Sequence, residues 1–428
     1  MNGRHGARAL LWLCAASLSA PLAEAEGRGS YRLRVIQDLD HSEAPLLEQR
    51  FDYQHTQYLG ESARLFFHGR LRNEDRDRLE PDTPEERQYR SALSRRYFMG
   101  TRSEAEVYEL YVDGYLGDTF YRLGKQSIVW GTAFGLTVLD LVNPSTWREF
   151  ILPDQDERRI PLWSVNIERT LGDWAAQLIW VPDPTYRQLP EENALFALRG
   201  YRDALLRQSE KPDDPIRDAD SGLRLTTFAG GWDITLNYLY HYDDTPVVEP
   251  HVIDGRLSLK PRYYRMQTFG SALSNAFGAF TLRAELGLHR DRRFTPQLSG
   301  SAAVAPKSDE VSAVLGVDYS GIRDLLISAQ LFHSQVMDDP PDIARARQQQ
   351  RATLQLRRDY LNDTLHSELQ WIHDLDRHDG LAKLFLDYQF SARTTVKLGV
   401  DVLYGQGDGD FGQFADRDRA YVDIEYQF

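Results

Sequence analysis

The chain has 428 residues, 42% of them apolar and 27% charged, with a formal net charge of -14 and a negative mean hydropathy. That balance excludes a bundle of apolar transmembrane helices, and an acidic chain with no basic block excludes a nucleic-acid partner. It admits a soluble protein or a membrane β-barrel, because barrel strands alternate lipid-facing apolar residues with polar lumen residues and so keep the average low.

In chain order, Arg4 and Arg8 precede an apolar run from Ala9 to Leu18, and Ala23-Glu24-Ala25 supplies small residues around a cleavage point. Residues 1-25 therefore read as a signal peptide cut after Ala25. The run is too short for a membrane anchor, which needs roughly 20 residues, and Trp12-Leu13 lacks the small residue expected before a lipidated Cys14. Cys14 is the only cysteine, so the mature chain, 26-428, is expected to hold no disulfide, thiolate nucleophile or cysteine-based metal site.

From Ser30 onward one unit repeats: an alternating stretch, a tight Gly/Asp/Asn turn, a second alternating stretch and a longer charged segment. The turns fall at Leu59-Gly60-Glu61, Leu116-Gly117-Asp118, Leu171-Gly172-Asp173, Gly230-Gly231, Ala276-Phe277-Gly278, Ser320-Gly321, Asn362-Asp363 and Ser391-Ala392. With Tyr31 to Asp38 at one end and Arg419 to Phe428 at the other, these hairpins give about eighteen strands. The reading is an all-β, antiparallel transmembrane barrel in the bacterial outer membrane. The last strand is the clearest, with Ala420, Val422, Ile424, Tyr426 and Phe428 on one face and Arg419, Tyr421, Asp423, Glu425 and Gln427 on the other. Tyr and Trp near strand ends, Trp174, Trp180, Tyr240, Tyr263 and Tyr388 among them, suit an aromatic girdle. A soluble β-sandwich or propeller would also alternate, but no blade-like repeat is present.

Lumen parity falls on many arginines: Arg64, Arg70 and Arg72 early, Arg122 and Arg283 in the middle, and Arg345, Arg347, Arg351 and Arg357 along one strand read from Arg345 to Arg357. Such a lining favours anions. Glu109, Asp113, Glu168, Glu285, Glu368, Asp387 and Asp423 share the lumen, and pairing of these carboxylates with the arginines in a structural network explains the same pattern as well.

One stretch interrupts the rhythm. Gly124-Lys125-Gln126 leads into Trp130-Gly131 and a poorly charged run from Phe134 to Val142, whose end overlaps the motif Asp140-Leu141-Val142-Asn143-Pro144. The segment near 131-158 is expected to fold inward, with Asp140 and Asn143 fixing its turn and Pro144 stiffening it. It either constricts the channel or only braces the inner wall.

The Gly-Lys-Gln, Trp-Gly and Asp-x-x-Asn-Pro elements resemble a pattern in proteobacterial outer-membrane barrels, some related to alginate-export porins. The resemblance implies about eighteen strands and an arginine-rich lumen for an anionic solute or polysaccharide. Sets that could carry hydrolysis, His289-Arg290-Asp291 and His373 with Asp374 and Asp376, have no serine beside them, and His378-Asp379 near His373 is a weak metal spacing. They read as ordinary loop residues. The expectation is thus a non-enzymatic porin-like channel without cofactor or metal, in contact with lipid and delivered by the barrel-assembly machinery through its C-terminal strand. A polysaccharide or lipid export component is the alternative, and a barrel hydrolase a third.

Overall fold

The structure, a computed structural model, describes residues 25-428 apart from 199-204, 207-208, 210, 213, 254-255, 298-304, 339 and 341. The expected signal peptide up to residue 24, with Cys14, lies outside the described residues.

The first strands are β1 (Ala25–Asp38), β2 (Leu46–Leu59), β3 (Ala63–Glu74), β4 (Ser103–Leu116), β5 (Thr119–Gln126) and β6 (Leu162–Leu171). The middle of the chain forms β7 (Trp174–Val181), β8 (Asp220–Ala229), β9 (Trp232–Tyr242), β10 (Arg265–Phe277), β11 (Phe280–Arg293) and β12 (Lys307–Ile322). The last are β13 (Leu325–Val336), β14 (Gln348–Tyr360), β15 (Leu365–Asp374), β16 (Gly380–Ser391), β17 (Thr394–Tyr404) and β18 (Arg419–Gln427). Each pairs antiparallel with its chain neighbours, and β18 pairs back onto β1 with Leu33 opposite Ile424. The sheet counts 19 strands, one being the two-residue Tyr97–Phe98 beside β4, so a closed 18-strand antiparallel barrel remains. Closure satisfies every strand edge, which a membrane demands. At the seam Phe428 N donates to Gly29 O at 2.9 Å and Gly29 N to Phe428 O at 3.0 Å.

The tight turns join strands where the sequence placed them, and their glycines supply the left-handed backbone: Gly60 at φ 72°, Gly172 at 63° and Gly278 at 63°. One turn moves. Ser320-Gly321 still belongs to β12, and the chain reverses at Asp324, φ 56°, because a bulge between Tyr319 and Ile322 adds length to the strand.

Alternation sets the two faces. On β18 Val422, Ile424 and Tyr426 are exposed toward the lipid side while Arg419, Tyr421 and Asp423 are buried inside. Trp174, Trp180, Tyr240 and Tyr388 also lie outward and exposed. Tyr263 departs from the girdle expectation: it lies in a loop, buried, stacked on Tyr186 at 4.0 Å. A second difference concerns β14, which begins at Gln348. Arg345 and Arg347 therefore belong to the preceding loop, where Arg345 reaches Glu310 at 2.9 Å and Arg347 donates to Pro340 O at 3.1 Å.

Beyond the long-loop end, Val247–Ile253 and Arg256–Arg262 form a hairpin carrying Leu205–Leu206 in parallel. Four loops bring Leu79, Phe150, Phe196, Phe411 and Phe414 into one buried apolar cluster against Ile36, Leu46, Leu381, Leu403 and Tyr421 of the wall. Lumen-facing apolar residues at these strand ends are thus explained by loops that pack on them.

Candidate functional site

The segment between β5 and β6 leaves the wall and crosses the lumen. Its base is tied by the residues of the unusual motifs. Gly124, at φ 134°, sits where a Cβ would come within 2.2 Å of Leu110 O. Lys125, fully buried, donates from Nζ to Val107 O at 2.7 Å and approaches Glu106 at 3.3 Å. Asn143 closes the base: Oδ1 accepts from Ile128 N at 2.7 Å, and Nδ2 donates to Ile160 O at 2.9 Å. Asp140 Oδ2 accepts from Arg159 and from Gln155, both at 2.6 Å, and Pro144 O accepts from Ile160 N at 2.8 Å.

On one side the segment docks against strands β7 to β13. Trp130 is only 1% exposed, packed with Ile179, Val181 and Leu239 and donating from Nε1 to Gln177 at 2.9 Å. Three mid-strand glycines make room for it and its neighbours. A Cβ on Gly222 would meet the Trp130 ring at 2.5 Å, one on Gly270 would meet Leu139 at 2.3 Å, and one on Gly287 would meet Val138 at 2.7 Å. Glu285 then clamps the backbone. Its carboxylate accepts from Thr132 N at 2.5 Å, Ala133 N at 2.8 Å, Val138 N at 2.8 Å and Leu139 N at 3.2 Å. The Gln330 amide, turned to suit, pairs with Phe134 N at 2.8 Å and Phe134 O at 2.5 Å.

The far end reaches the wall nearly opposite in the strand ring. Phe150, at φ 53°, packs its ring on Phe411 and Phe414. Glu149 pairs with Arg419 of β18 at 2.7 Å, Glu157 pairs with Arg32 of β1 and with Arg50 of β2, and Asp154 meets Lys383 of β16 at 3.4 Å. The segment is held at both ends, by apolar and backbone contacts on one wall and by ion pairs on the other. A Gly270→Leu change should therefore push Leu139 off its wall at a cost of about 1–3 kcal/mol. The check is faster amide exchange at 132-141 with the barrel itself unchanged.

The lumen arginines expected from parity are paired. Asp113 takes Arg64 at 2.7 Å and Arg122 at 2.9 Å. Asp52 takes Arg70 at 2.8 Å, and Glu48 takes Arg72 at 3.4 Å. Arg283 meets Asp318 at 2.8 Å, Arg357 meets Asp359 at 3.5 Å, and Arg351 is shared between Asp374, at 3.1 Å, and Asp410. The same holds for arginines outside that set, such as Arg34 on Asp423 and Arg96 among Glu80, Glu86 and Glu104. A bulge opposite His68 and Gly69 shifts parity along β4, so that Glu104 and Glu106 turn inward as well as Glu109 and Asp113. Cross-strand neighbours and loop contacts decide these pairs, and neither can be read along one strand.

The catalytic-looking sets are engaged by their neighbours. His289 Nδ1 bonds Thr268 Oγ1 at 3.0 Å, Arg290 meets Asp309 at 3.3 Å, and Asp291 meets Lys307 at 2.7 Å. His373 stacks on Trp371 with Nδ1 at 2.9 Å from the Tyr404 hydroxyl, while Asp379 accepts from Phe411 N and Gly412 N. Among the described residues no three His, Cys, Asp or Glu side chains converge as a metal site.

Above the crossing segment lies a cavity of about 860 Å³ lined by it and by the loops at the mouth. Its charged residues include Arg158 and Arg187, which no strand pattern indicates.

Solved structures align with this chain. The chain aligns over 95% of its length with 99% of Acinetobacter baumannii OccAB3, at a TM-score of 0.53 and 8% identity. The outer membrane protein OpdK from Pseudomonas aeruginosa aligns over the same shares at a TM-score of 0.53 and 12% identity. A mutant of the Rh. blastica porin aligns over 95% of this chain and 100% of its own, at a TM-score of 0.42 and 12% identity. No curated protein sequence matches. A family profile described as "Protein of unknown function (DUF1302)" matches residues 62–428.

Proposed function

We propose, for a chain that belongs to the DUF1302 family and folds like outer-membrane porins, that it is an outer-membrane channel for small anionic or polar solutes, narrowed by the segment at 131-158. The observation that carries this reading is the segment itself, anchored on Glu285 at one wall and through Glu149 on Arg419 at the other. An 18-strand barrel otherwise leaves a wide aqueous bore, and a strut across it selects by size before charge. The alternative, passage of a polysaccharide for a partner complex, requires the segment to leave the lumen. Anion preference rests less on the strand arginines Arg64, Arg70, Arg72, Arg122, Arg283, Arg351 and Arg357, each held by a carboxylate, than on the cations of the segment and the loops above it.

Reversal potential across a planar bilayer under a salt gradient tests the reading. Anion-selective conductance supports it, and absence of conductance from a folded barrel overturns it. Arg351→Ala should shift the reversal potential toward cations, because it strips the counter-charge from Asp374 and Asp410. An unchanged potential would take that group off the conducting path.

A further inference from the structure

The cavity above the strut is of a size usual for small-molecule sites, which run to about 1,000 Å³. Its charges are unevenly matched. Asp140 is taken by Arg159 at 2.6 Å and Asp410 by Arg351. Arg158 and Arg187 face the same space, and among the described residues neither has a carboxylate at ion-pair distance. Arg158 Nε donates to Pro153 O at 3.0 Å. Arg187 donates from Nη1 to Thr245 Oγ1 at 2.7 Å, lies 4.7 Å over the Trp147 ring, and has its Nε buried without a partner. Burial, then the neighbouring Arg187, draws Arg158 down to about 10, and burial lowers Arg187 as well. The remaining carboxyl of the lining, Asp244, is pushed by burial well above the usual carboxylate range against the pull of Arg187, which weakens it as a counter-charge.

Two half-buried guanidiniums without counter-ions are unfavourable on their own, and a bound anion offsets that cost. Planar guanidiniums suit a carboxylate through paired N–H donors. Polar side chains such as Gln155, Thr295 and Gln413 share the lining with an apolar part formed by Trp147, Phe150, Phe411, Val248 and Leu259, and an inorganic anion has no use for that apolar wall. We propose that this cavity binds an organic carboxylate with an apolar body, the carboxylate between Arg158 and Arg187 and the body against Trp147, Phe150 and Phe411. This deepens the channel reading by naming its solute class, and the binding site stands or falls separately from conduction.

The test is calorimetric titration of the detergent-solubilised full barrel with 3-phenylpropionate, its neutral amide, acetate and inorganic phosphate. The carboxylate should bind at least about ten-fold more tightly than the amide, as loss of charged hydrogen bonds implies, and more tightly than acetate or phosphate. Arg158→Gln and Arg187→Gln should each weaken the carboxylate about ten-fold and leave the amide unchanged. Trp147→Ala, which keeps both charges, should weaken carboxylate and amide together. Heat-modifiable gel mobility identifies variants that retain the folded barrel. Equal binding of acid and amide, indifference to both arginine substitutions, or no binding of the carboxylate overturns the proposal. Binding without conductance in the bilayer experiment would remove the channel reading and leave the site, whereas selective conductance without binding would do the reverse.

Discussion

Deletion of Phe134 to Leu139 is expected to raise single-channel conductance by roughly two- to five-fold, since it removes the part of the strut that stands on the β10 to β13 wall and leaves the sheet intact. The deletion takes away Leu139 over Gly270, Val138 over Gly287, and the Gln330 pairing with Phe134. Glu285→Ala should give an intermediate rise. It leaves backbone N–H groups of Thr132, Ala133, Val138 and Leu139 without their acceptor, and each such loss in a buried setting costs about 1–3 kcal/mol. The segment would still be held by Asn143 at its base and by Phe150 and Glu149 at its far end, so it should loosen rather than leave. Conductance unchanged by both alterations would assign the segment to bracing the wall.

Arg96→Ala is the second change with a large expected effect. Arg96 is buried in the loop between β3 and β4, with Glu86 at 2.5 Å, Glu80 held by both terminal nitrogens, and Glu104 at 2.6 Å. Removing it takes the nearest cation from three carboxylates with side chains under a tenth exposed and leaves them only the longer ion-pair contacts to Arg90, Arg148 and Arg72, at 3.4 to 3.8 Å, a loss of about 3 kcal/mol of loop docking. Burial pushes the Glu80 carboxyl up, but Arg96 and Arg148 outweigh burial and hold it at about 2. The stabilisation from that depressed group is complete above the usual carboxylate range and is lost as pH falls through about 2, so the wild-type loop should stay docked in mild acid. Limited trypsin digestion should cut the variant within 75-102 at neutral pH while sparing the wild type. Equal resistance of the two would show that the apolar contact of Leu79 in the mouth cluster suffices to hold the loop.

Several parts of the candidate site leave a trace in the sequence. Trp130, Gly131, Asp140, Asn143 and Pro144 stand out because an apolar, uncharged run is out of place in a solvated loop. Gly222, Gly270 and Gly287 are glycines inside strands, and that placement is the local sign of close backbone approach. Arg158 and Arg187 leave none, since an arginine in a loop is ordinary until its surroundings are known.

The sequence by itself determined the barrel. Side-chain alternation has a period of two, so every strand states which residues face lipid, and glycine, asparagine and aspartate mark the turns that need left-handed backbone. These are local rules, and they placed the turns, except the one that a bulge moved from Ser320-Gly321 to Asp324, and the closing strand from Arg419 to the C-terminus. Only the tertiary structure decided what the lumen contains. Whether Arg64, Arg70 or Arg351 presents a free charge depends on carboxylates brought from neighbouring strands and from distant loops, as Asp113, Asp52 and Asp410 are. Charge pairing acts through space at a few ångströms, so sequence separation carries no record of it.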